Sequence, residues 1–136
     1  MEKKLDISII SPVFNELENL EKFVESVTKV MASTNMSWEL IIIDDGSDDG
    51  SSKIVKRIGR QENIRSILLS KNYGQTSAIQ AGFDLAVGKY FVTIDSDLQN
   101  DPKDIPSLIQ KLIGEELDLV VGWRKDRKDN FFLRNL

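Results

Sequence analysis

Cysteine and histidine are both absent from this chain of 136 residues. The lack of cysteine excludes disulfide bridges and thiolate metal sites. The lack of histidine removes the usual zinc ligand and the usual general base of enzymes. Any metal ion that this chain binds must therefore be held by oxygen ligands.

Long hydrophobic runs are also missing. No apolar stretch approaches the roughly 20 residues that a helix needs to cross a bilayer. The opening MEKKLDISII leads into strand-like sequence without a signal-peptide cleavage site. We therefore expect a cytoplasmic chain.

The composition, with 40% hydrophobic and 29% charged residues, is that of one soluble globular domain. The net charge is −4, yet the chain ends in a basic segment that contains Arg124, Lys125, Arg127, Lys128 and Arg134. An acidic body argues against nucleic acid as a partner. The basic end suits phosphate groups or an anionic membrane surface, and it equally suits a solvated chain end.

Strand-like and helix-like patterns alternate along the whole chain. Buried strands are predicted at residues 5–12, 38–44, 64–69, 90–94 and 117–122. The first helix should follow Asn15, which forms a capping-box pattern with Glu18, and should bury Leu17 on its apolar face. Further helices are predicted around 54–58, 76–87 and 104–113. This order predicts an α/β fold, with a mostly parallel sheet and helices on both faces.

Polar or charged side chains follow each predicted strand. Ligands of open α/β sheets bind beyond the carboxyl ends of the strands. The residues at these positions are Pro12, Phe14, Asn15 and Glu16, then Asp44 and Asp45, then Lys71 and Asn72, then Asp95 and Asp97, and finally Trp123 and Arg124. This edge of the sheet is the predicted ligand site.

Several of these groups also have a purely structural interpretation. The tract DDGSDDGS suits a turn before an N-capped helix, because Asp, Gly and Ser favour such positions. Asn15 and Glu16 could serve only to cap a helix, and Lys71 could be merely solvated. Phe14 and Trp123 are both of a type that usually packs in the core. The sequence alone leaves both interpretations open.

Asp95 and Asp97 are harder to explain by local structure. Residues two apart in an extended segment point to the same side, so both carboxylates should meet at the strand end. A divalent cation would relieve their repulsion. Gln99 could add an amide oxygen if the extended run continues, which gives an oxygen site suited to Mg²⁺ or Mn²⁺.

Four segments, SIISPVFNELENL, LIIIDDGSDDGS, LSKNYGQTSAIQAGFDLAVGKYFVTIDSDLQNDPKDIPSLI and VVGWRKDRKD, carry a family resemblance. In order and spacing they resemble the inverting family 2 glycosyltransferases with the Rossmann-like GT-A fold. The similarity is greatest to the branch of polyprenyl-phosphate sugar transferases, which contains dolichyl-phosphate mannose synthase and bacterial undecaprenyl-phosphate transferases.

The resemblance implies a role for each matching residue. Pro12, Phe14, Glu16, Asp44 and Asp45 would surround the nucleoside of a sugar nucleotide, with Lys71 and Gly74 near the base and ribose. Asp95, Asp97 and Gln99 would hold the metal and, through it, the diphosphate. Ser96 stands where the family usually has alanine, and its hydroxyl could contact the ribose. Arg124 and Arg127 would clamp a phosphate of donor or acceptor, and together with Asp97 they are the expected catalytic residues.

The implied reaction is a metal-dependent, inverting transfer of a sugar from a nucleotide donor, UDP rather than GDP, to a polyprenyl phosphate. Residues 1–123 would form the donor-binding core, and residues 124–136 a basic segment leading to an acceptor half. Family members continue beyond this point, so the chain alone is expected to bind nucleotide but to transfer sugar poorly. The longer enzyme would work at the inner face of the plasma membrane, and exposed apolar edges could make the chain self-associate.

Two other functions compete with this interpretation. A receiver-type phosphoryl-transfer domain also combines acidic residues, a lysine and a doubly wound sheet. Its acidic positions follow the first and third strands, whereas here they follow the second and fourth. A nucleotide-binding or assembly module without catalytic activity would carry the same binding residues.

Overall fold

The computed structural model describes residues 4–118, which form a single parallel sheet with its helices. The strands are β1 Leu5–Val13, β2 Trp38–Asp44, β3 Ile64–Leu68 and β4 Gly88–Thr93. The helices are α1 Leu20–Ala32, α2 Ser51–Ile58, α3 Gln75–Leu85 and α4 Ile105–Gly114, with a short 3₁₀ helix Pro102–Asp104 before α4. The strand predicted at 117–122 lies, after Asp118, outside the described residues.

The four strands pair in the order β3-β2-β1-β4, and every pair is parallel. All seven residues of β2 are buried, because the strand lies inside the sheet and is covered on both faces. This explains why its apolar run shows no alternation with polar residues. The mostly parallel α/β sheet predicted from the sequence is confirmed.

The two faces of the sheet carry cores of different size. On one face α1, α2 and α4 bury their apolar sides, including Phe23, Val55 and Ile105, against Ile9 and Ile42. On the other face α3 packs Ala78 against a smaller set, Ile10, Ile41 and Ile43. Helices therefore lie on both faces, as the sequence predicts.

The start of α1 differs from the prediction. The helix begins at Leu20, and Asn19 occupies the N-cap position without a side-chain cap bond. Asn15 adopts a left-handed backbone with φ of 53° and bonds to the loop after β2, so the predicted capping box is wrong. Leu17 precedes the helix and is 43% exposed, so its predicted burial is also wrong. Contacts between loops override the local pattern here.

Opposite the predicted ligand edge, a buried glutamate ties the strands together. Glu39 of β2 accepts hydrogen bonds from the Ser8 hydroxyl (2.6 Å), the Val87 backbone N–H (2.9 Å) and the Arg65 guanidinium (2.6 and 2.9 Å). The Ser8 hydroxyl in turn accepts from the backbone N–H of Gly88 at 2.8 Å. This network, which we call the amino-edge network, joins all four strands at their starts.

Within residues 4–118, no helix is long and apolar enough to span a membrane.

Candidate functional site

A cleft of about 350 Å³ lies beyond the carboxyl ends of β1, β2 and β4, beside the start of α3. Its walls come from four separate segments of the chain. They are formed by Pro12, Val13, Phe14, Glu16, Asp45, Asn72, Gly74, Gln75, Asp95, Ser96 and Asp97. The structure thus brings eight of the predicted site residues together: Pro12, Phe14, Glu16, Asp45, Gly74, Asp95, Ser96 and Asp97.

The charge of this cleft is entirely negative among the described residues. Four of its lining side chains are carboxylic acids, Glu16, Asp45, Asp95 and Asp97, and none is lysine or arginine. Phe14 adds an aromatic side chain that is 47% exposed, so it faces the cleft rather than packing in the core. The cleft thus offers oxygen ligands and one exposed aromatic ring.

The loop after β1 is held in place by the loop after β2. The Asn15 backbone N–H donates to the Ser47 hydroxyl at 2.9 Å, and the Asn15 side-chain oxygen accepts from the Asp48 N–H at 3.0 Å. The Glu16 N–H donates to the Ser51 hydroxyl at 3.1 Å. The left-handed Asn15 turns the chain so that Phe14 and Glu16 both line the cleft.

Asp49 completes this contact between the loops. Its carboxylate accepts hydrogen bonds from the Leu17 N–H and from both the hydroxyl and the N–H of Ser51. Burial alone would raise the pKa of Asp49, but the bonds from the Ser51 side chain and from the Ser51 and Leu17 backbone outweigh it. The pKa of Asp49 therefore lies below its ordinary value.

Asp45 shapes the opposite wall of the cleft. It is 3% exposed, and its two oxygens accept from the backbone N–H of Tyr73 (2.8 Å) and of Gly74 (3.0 Å). The amide of Asn72 adds a longer bond at 3.3 Å. Asp45 thus holds the loop before α3 in position as well as lining the cleft.

Gly46 allows the two loops to come this close. Its φ is +72°, and a Cβ placed there would lie 2.3 Å from the backbone carbon of Lys71. A larger residue would push the 71–74 loop away from Asp45.

β4 ends before Asp95, the first acidic residue of the segment that follows this strand. β4 ends at Thr93, and residues 96–100 form bends. Asp95 and Asp97 nevertheless both line the cleft. Between them Ser96 is 2% exposed and its hydroxyl donates to the Pro12 carbonyl at 3.4 Å, which ties this segment to β1.

The extended run that would have brought Gln99 to the same point does not continue. Leu98 has a left-handed backbone with φ of 64°, and the Gln99 N–H folds back to donate to Asp97 Oδ1 at 3.0 Å. Gln99 does not line the cleft, so the geometric reason for expecting its amide at the metal is wrong.

Two other predicted residues also lie outside the cleft lining. Asp44 is 1% exposed, and its Oδ2 accepts from the Ser52 hydroxyl at 2.6 Å and the Ser47 N–H at 3.3 Å. Lys71 is exposed, with its ammonium 5.1 Å from the centre of the Tyr73 ring. Arg124 and Arg127 lie outside the described residues.

Gln75 is a cleft residue that the sequence analysis missed. It is the first residue of α3, and its amide nitrogen donates to Asp95 Oδ1 at 3.0 Å. A pairing between residues this far apart leaves no pattern in a single sequence. Only its place directly after Gly74, itself a predicted site residue, could have drawn attention to it.

The carboxylates of the cleft suit a divalent cation whose remaining ligands are water and substrate oxygens. Between Lys4 and Asp118, no three acidic side chains cluster closely enough to form a metal site by themselves. Mg²⁺ in nucleotide enzymes is commonly held by one or two carboxylates, with water and substrate phosphates in the remaining positions. Asp95 and Asp97 together supply such a pair.

Comparison with known proteins identifies the family. The sequence matches the domain described as glycosyl transferase family 2 over residues 8–136. This chain belongs to glycosyl transferase family 2. The family resemblance seen in the sequence is thereby confirmed, and the receiver-domain alternative is wrong.

Curated relatives of this family 2 chain include two kinds of prenyl-phosphate enzyme. Dodecaprenyl-phosphate galacturonate synthase of Rhizobium johnstonii is 47% identical over 136 residues, which is 98% of this chain and 40% of that protein. Undecaprenyl-phosphate 4-deoxy-4-formamido-L-arabinose transferase of Salmonella choleraesuis is 39% identical over 131 residues, 95% of this chain and 40% of that protein. The chain thus spans about 40% of the length of these relatives.

Solved structures with a similar fold have lower sequence identity. TarS 1–349 of S. aureus, whose complex with UDP-GlcNAc is known, matches with a TM-score of 0.61 at 17% identity and covers 92% of this chain and 39% of that one. The mannosyltransferase PcManGT of Pyrobaculum calidifontis, solved with GDP-Man and Mn²⁺, matches with a TM-score of 0.67 at 18% identity, covering 81% and 33%. These similarities establish the Rossmann-like GT-A fold of this family 2 chain.

Proposed function

We propose that this chain forms the donor-binding part of a glycosyltransferase, which moves a sugar from a nucleoside diphosphate to a polyprenyl phosphate. The observation that carries the proposal is the meeting of Asp95 and Asp97 in one acidic cleft at the carboxyl edge of a family 2 fold. The names of the relatives, which are prenyl-phosphate sugar synthases and transferases, support the choice of acceptor.

The charge of the cleft supports dependence on a divalent cation. A nucleoside diphosphate is an anion, and the described lining offers it four carboxylic acids and no basic side chain. Like charges brought together in a partly enclosed site repel strongly. Asp95 and Asp97 would hold the cation, whose positive charge would offset this repulsion. The Mn²⁺ in the PcManGT complex is consistent with Mg²⁺ or Mn²⁺ here.

The remaining cleft residues would bind the nucleoside. Phe14 offers an exposed ring face to the base, beside Pro12 and Glu16, while Asp45 and Gly74 form the opposite wall. We favour UDP over GDP as the nucleotide, and both nucleotides occur in complexes of proteins with this fold. Asp44 and Lys71 would act only indirectly, by supporting the loops on either side.

The reaction then needs little proton chemistry from the protein. The bond between the anomeric carbon and the diphosphate oxygen breaks, and its electron pair leaves on the diphosphate. A phosphate oxygen of the acceptor forms the new bond from the opposite face, which inverts the anomeric centre. Because a lipid monophosphate is already anionic, the lack of histidine in this chain is no obstacle. The bound cation would stabilise the leaving group's growing charge.

Residues outside the described part would complete this enzyme. Arg124 and Arg127 are proposed to bind a phosphate of the donor or acceptor, in the basic segment 124–136 that follows the donor-binding core. With a polyprenyl phosphate as acceptor the reaction would take place at a membrane surface, which we propose is the inner face of the plasma membrane.

Calorimetric titration of the chain with UDP and with GDP, each with and without Mn²⁺, tests the proposal. We expect one nucleotide to bind only when Mn²⁺ is present. Asp97→Asn should weaken that binding about tenfold or more, which corresponds to about 1.4 kcal/mol. Asp104→Asn is the matched control, since it removes the same charge from an exposed position at the start of α4.

The outcomes separate the proposal from its alternatives. No binding of either nucleotide with Mn²⁺ would contradict a donor site in this chain. Equal losses for Asp97→Asn and Asp104→Asn would indicate a general effect of charge rather than a cation ligand. Product formed from undecaprenyl phosphate by this chain alone would exclude a purely nucleotide-binding module, and it would overturn the expectation that the chain transfers sugar poorly.

A further inference from the structure

Gln75 joins two parts of the cleft that are distant in sequence. It lines the cleft as the first residue of α3, and its amide nitrogen lies 3.0 Å from Oδ1 of Asp95, just after β4. Nothing in the helix itself requires this bond, because a first-turn glutamine can equally be solvated. The bond instead restricts the orientation of the Asp95 carboxylate.

The chemistry of the pair defines which way the amide faces. An ionised carboxylate can only accept hydrogen bonds, so the NH₂ group of Gln75 must point towards Asp95. This donor is neutral and therefore does not cancel the negative charge that attracts a cation. A lysine in the same place would hold the carboxylate but would repel the metal.

Gln75 is itself held by the loop that precedes it. The neighbouring Gly74 and Tyr73 donate their backbone N–H groups to Asp45 at 3.0 and 2.8 Å. Asp45 is buried and directly follows β2, so its position is fixed by the sheet. A continuous path of contacts thus runs from the end of β2, through residues 73–75, to the carboxylate after β4.

We infer that Gln75 is a positioning residue, whose amide holds the Asp95 carboxylate in the orientation that receives the divalent cation. This inference rests on the proposed function, because it assumes that Asp95 is a cation ligand. Groups that hydrogen-bond to metal ligands in proteins commonly affect metal affinity by 10- to 100-fold when they are removed. Gln75 would act through Asp95 and would not touch the metal.

The test is the affinity for Mn²⁺ at saturating UDP, measured by electron paramagnetic resonance as the loss of the free Mn²⁺ signal. Gln75→Ala should weaken Mn²⁺ binding about tenfold. The thermal unfolding midpoint should stay close to wild type, because Gln75 is an exposed side chain. If Gln75 had a purely structural role, Gln75→Ala would lower the unfolding midpoint as well as the Mn²⁺ affinity.

The same helix contains a matched control. Gln80 also donates its amide nitrogen to an aspartate, Asp84 Oδ1, at 3.0 Å, but this exposed pair lies one turn along α3, away from the cleft. Gln80→Ala therefore removes the same type of residue and the same type of bond from the same helix. It should leave Mn²⁺ affinity within twofold of wild type.

The outcomes distinguish this inference from the proposed function. If wild type binds Mn²⁺ with UDP and Gln75→Ala binds it within twofold, the positioning role is wrong and the donor site stands. Equal losses in both glutamine variants would also overturn the role, because they would arise from α3 as a whole. If wild type binds no Mn²⁺ in the presence of UDP, the proposed function fails and this inference fails with it.

Discussion

At the scale of single residues, the tract DDGSDDGS contains identical side chains with different tasks. Asp45 lines the cleft and holds the loop before α3, whereas Asp44 lies behind it and bonds to Ser47 and Ser52. Asp49 instead joins Leu17 to the start of α2. The tract therefore has the structural role that the sequence allowed, and through Asp45 it also lines the cleft in which we propose that the donor binds.

We expect the stability that Asp49 contributes to be lost at low pH. Its carboxyl pKa lies below the ordinary value of about 3.9. The stabilisation is therefore present above about pH 4 and is lost as the pH falls through the folded-state pKa. Asp49→Asn should lower the free energy of unfolding at pH 7 by about 1 kcal/mol or less, since the side chain is partly solvated.

Urea unfolding of wild type and Asp49→Asn between pH 3 and pH 7 measures this effect. We expect the two stability curves to converge as the pH falls below about 4. Asp48→Asn removes the same charge from an exposed position in the same loop and should change stability by less than about 0.5 kcal/mol. If the difference in unfolding free energy between wild type and Asp49→Asn stays constant down to pH 3, the role assigned to the Asp49 carboxylate is wrong.

Two glutamines show the limit of local reasoning from the sequence. Gln99 was expected to add an amide oxygen if the extended run continued, and the left-handed Leu98 ends that run. Gln75 was missed because its partner Asp95 is far away in sequence. Side-chain periodicity predicts which residues of a helix or strand share a face. It does not predict the conformation of loops or the contacts between residues far apart in sequence.

At the scale of elements, the strands were the most predictable part. The predicted strand 38–44 matches β2 at both ends, and the other predicted strands within the described residues shift by at most two residues at each end. This success follows from burial on both faces, which makes a parallel strand a continuous apolar run. Helix starts were less predictable, as α1 illustrates, because loop contacts such as that between Asn15 and Ser47 decide where a helix begins.

The amino-edge network predicts that replacing Arg65 lowers the free energy of unfolding much more than replacing Arg57. Arg65 pairs with Glu39, whose side chain is 5% exposed, whereas Arg57 pairs with Glu21 and both side chains of that pair are more than 60% exposed. Arg65→Met leaves a buried carboxylate without its counter-ion and should cost about 3 kcal/mol of unfolding free energy. Arg57→Met should cost at most about 1 kcal/mol. Urea denaturation of both variants measures the difference.

A second substitution checks the reason for that difference. Glu39→Gln added to Arg65→Met removes the unpaired buried charge and keeps a side chain that can still bond to Ser8 and Val87. The double variant should therefore recover part of the lost stability. If Arg65→Met and Arg57→Met cost the same, the amino-edge network contributes no more than a surface ion pair.

At the scale of the whole molecule, the two edges of the sheet have opposite roles. At the amino edge, the carboxylate of Glu39 is satisfied by Arg65, Ser8 and backbone N–H groups, and this edge is closed by internal bonds. At the carboxyl edge, four acidic side chains surround an open cleft. Family membership and the sheet could be predicted from the sequence, but this division depends on contacts between distant segments.

We propose that a divalent cation and a nucleoside diphosphate bind together at the carboxyl edge of the sheet. Broadening of backbone amide signals by Mn²⁺ in the presence of UDP locates the metal, because paramagnetic broadening depends on distance from the metal and the signals of a 15.4 kDa protein can be followed residue by residue. We expect signals of Gly74, Gln75 and residues 95–97 to broaden first. Glu39 and Gly88 lie at the other ends of their strands, roughly 20 Å away, and should remain sharp. Broadening centred on the exposed acidic residues of 115–118, or spread evenly over the surface, would contradict the claim.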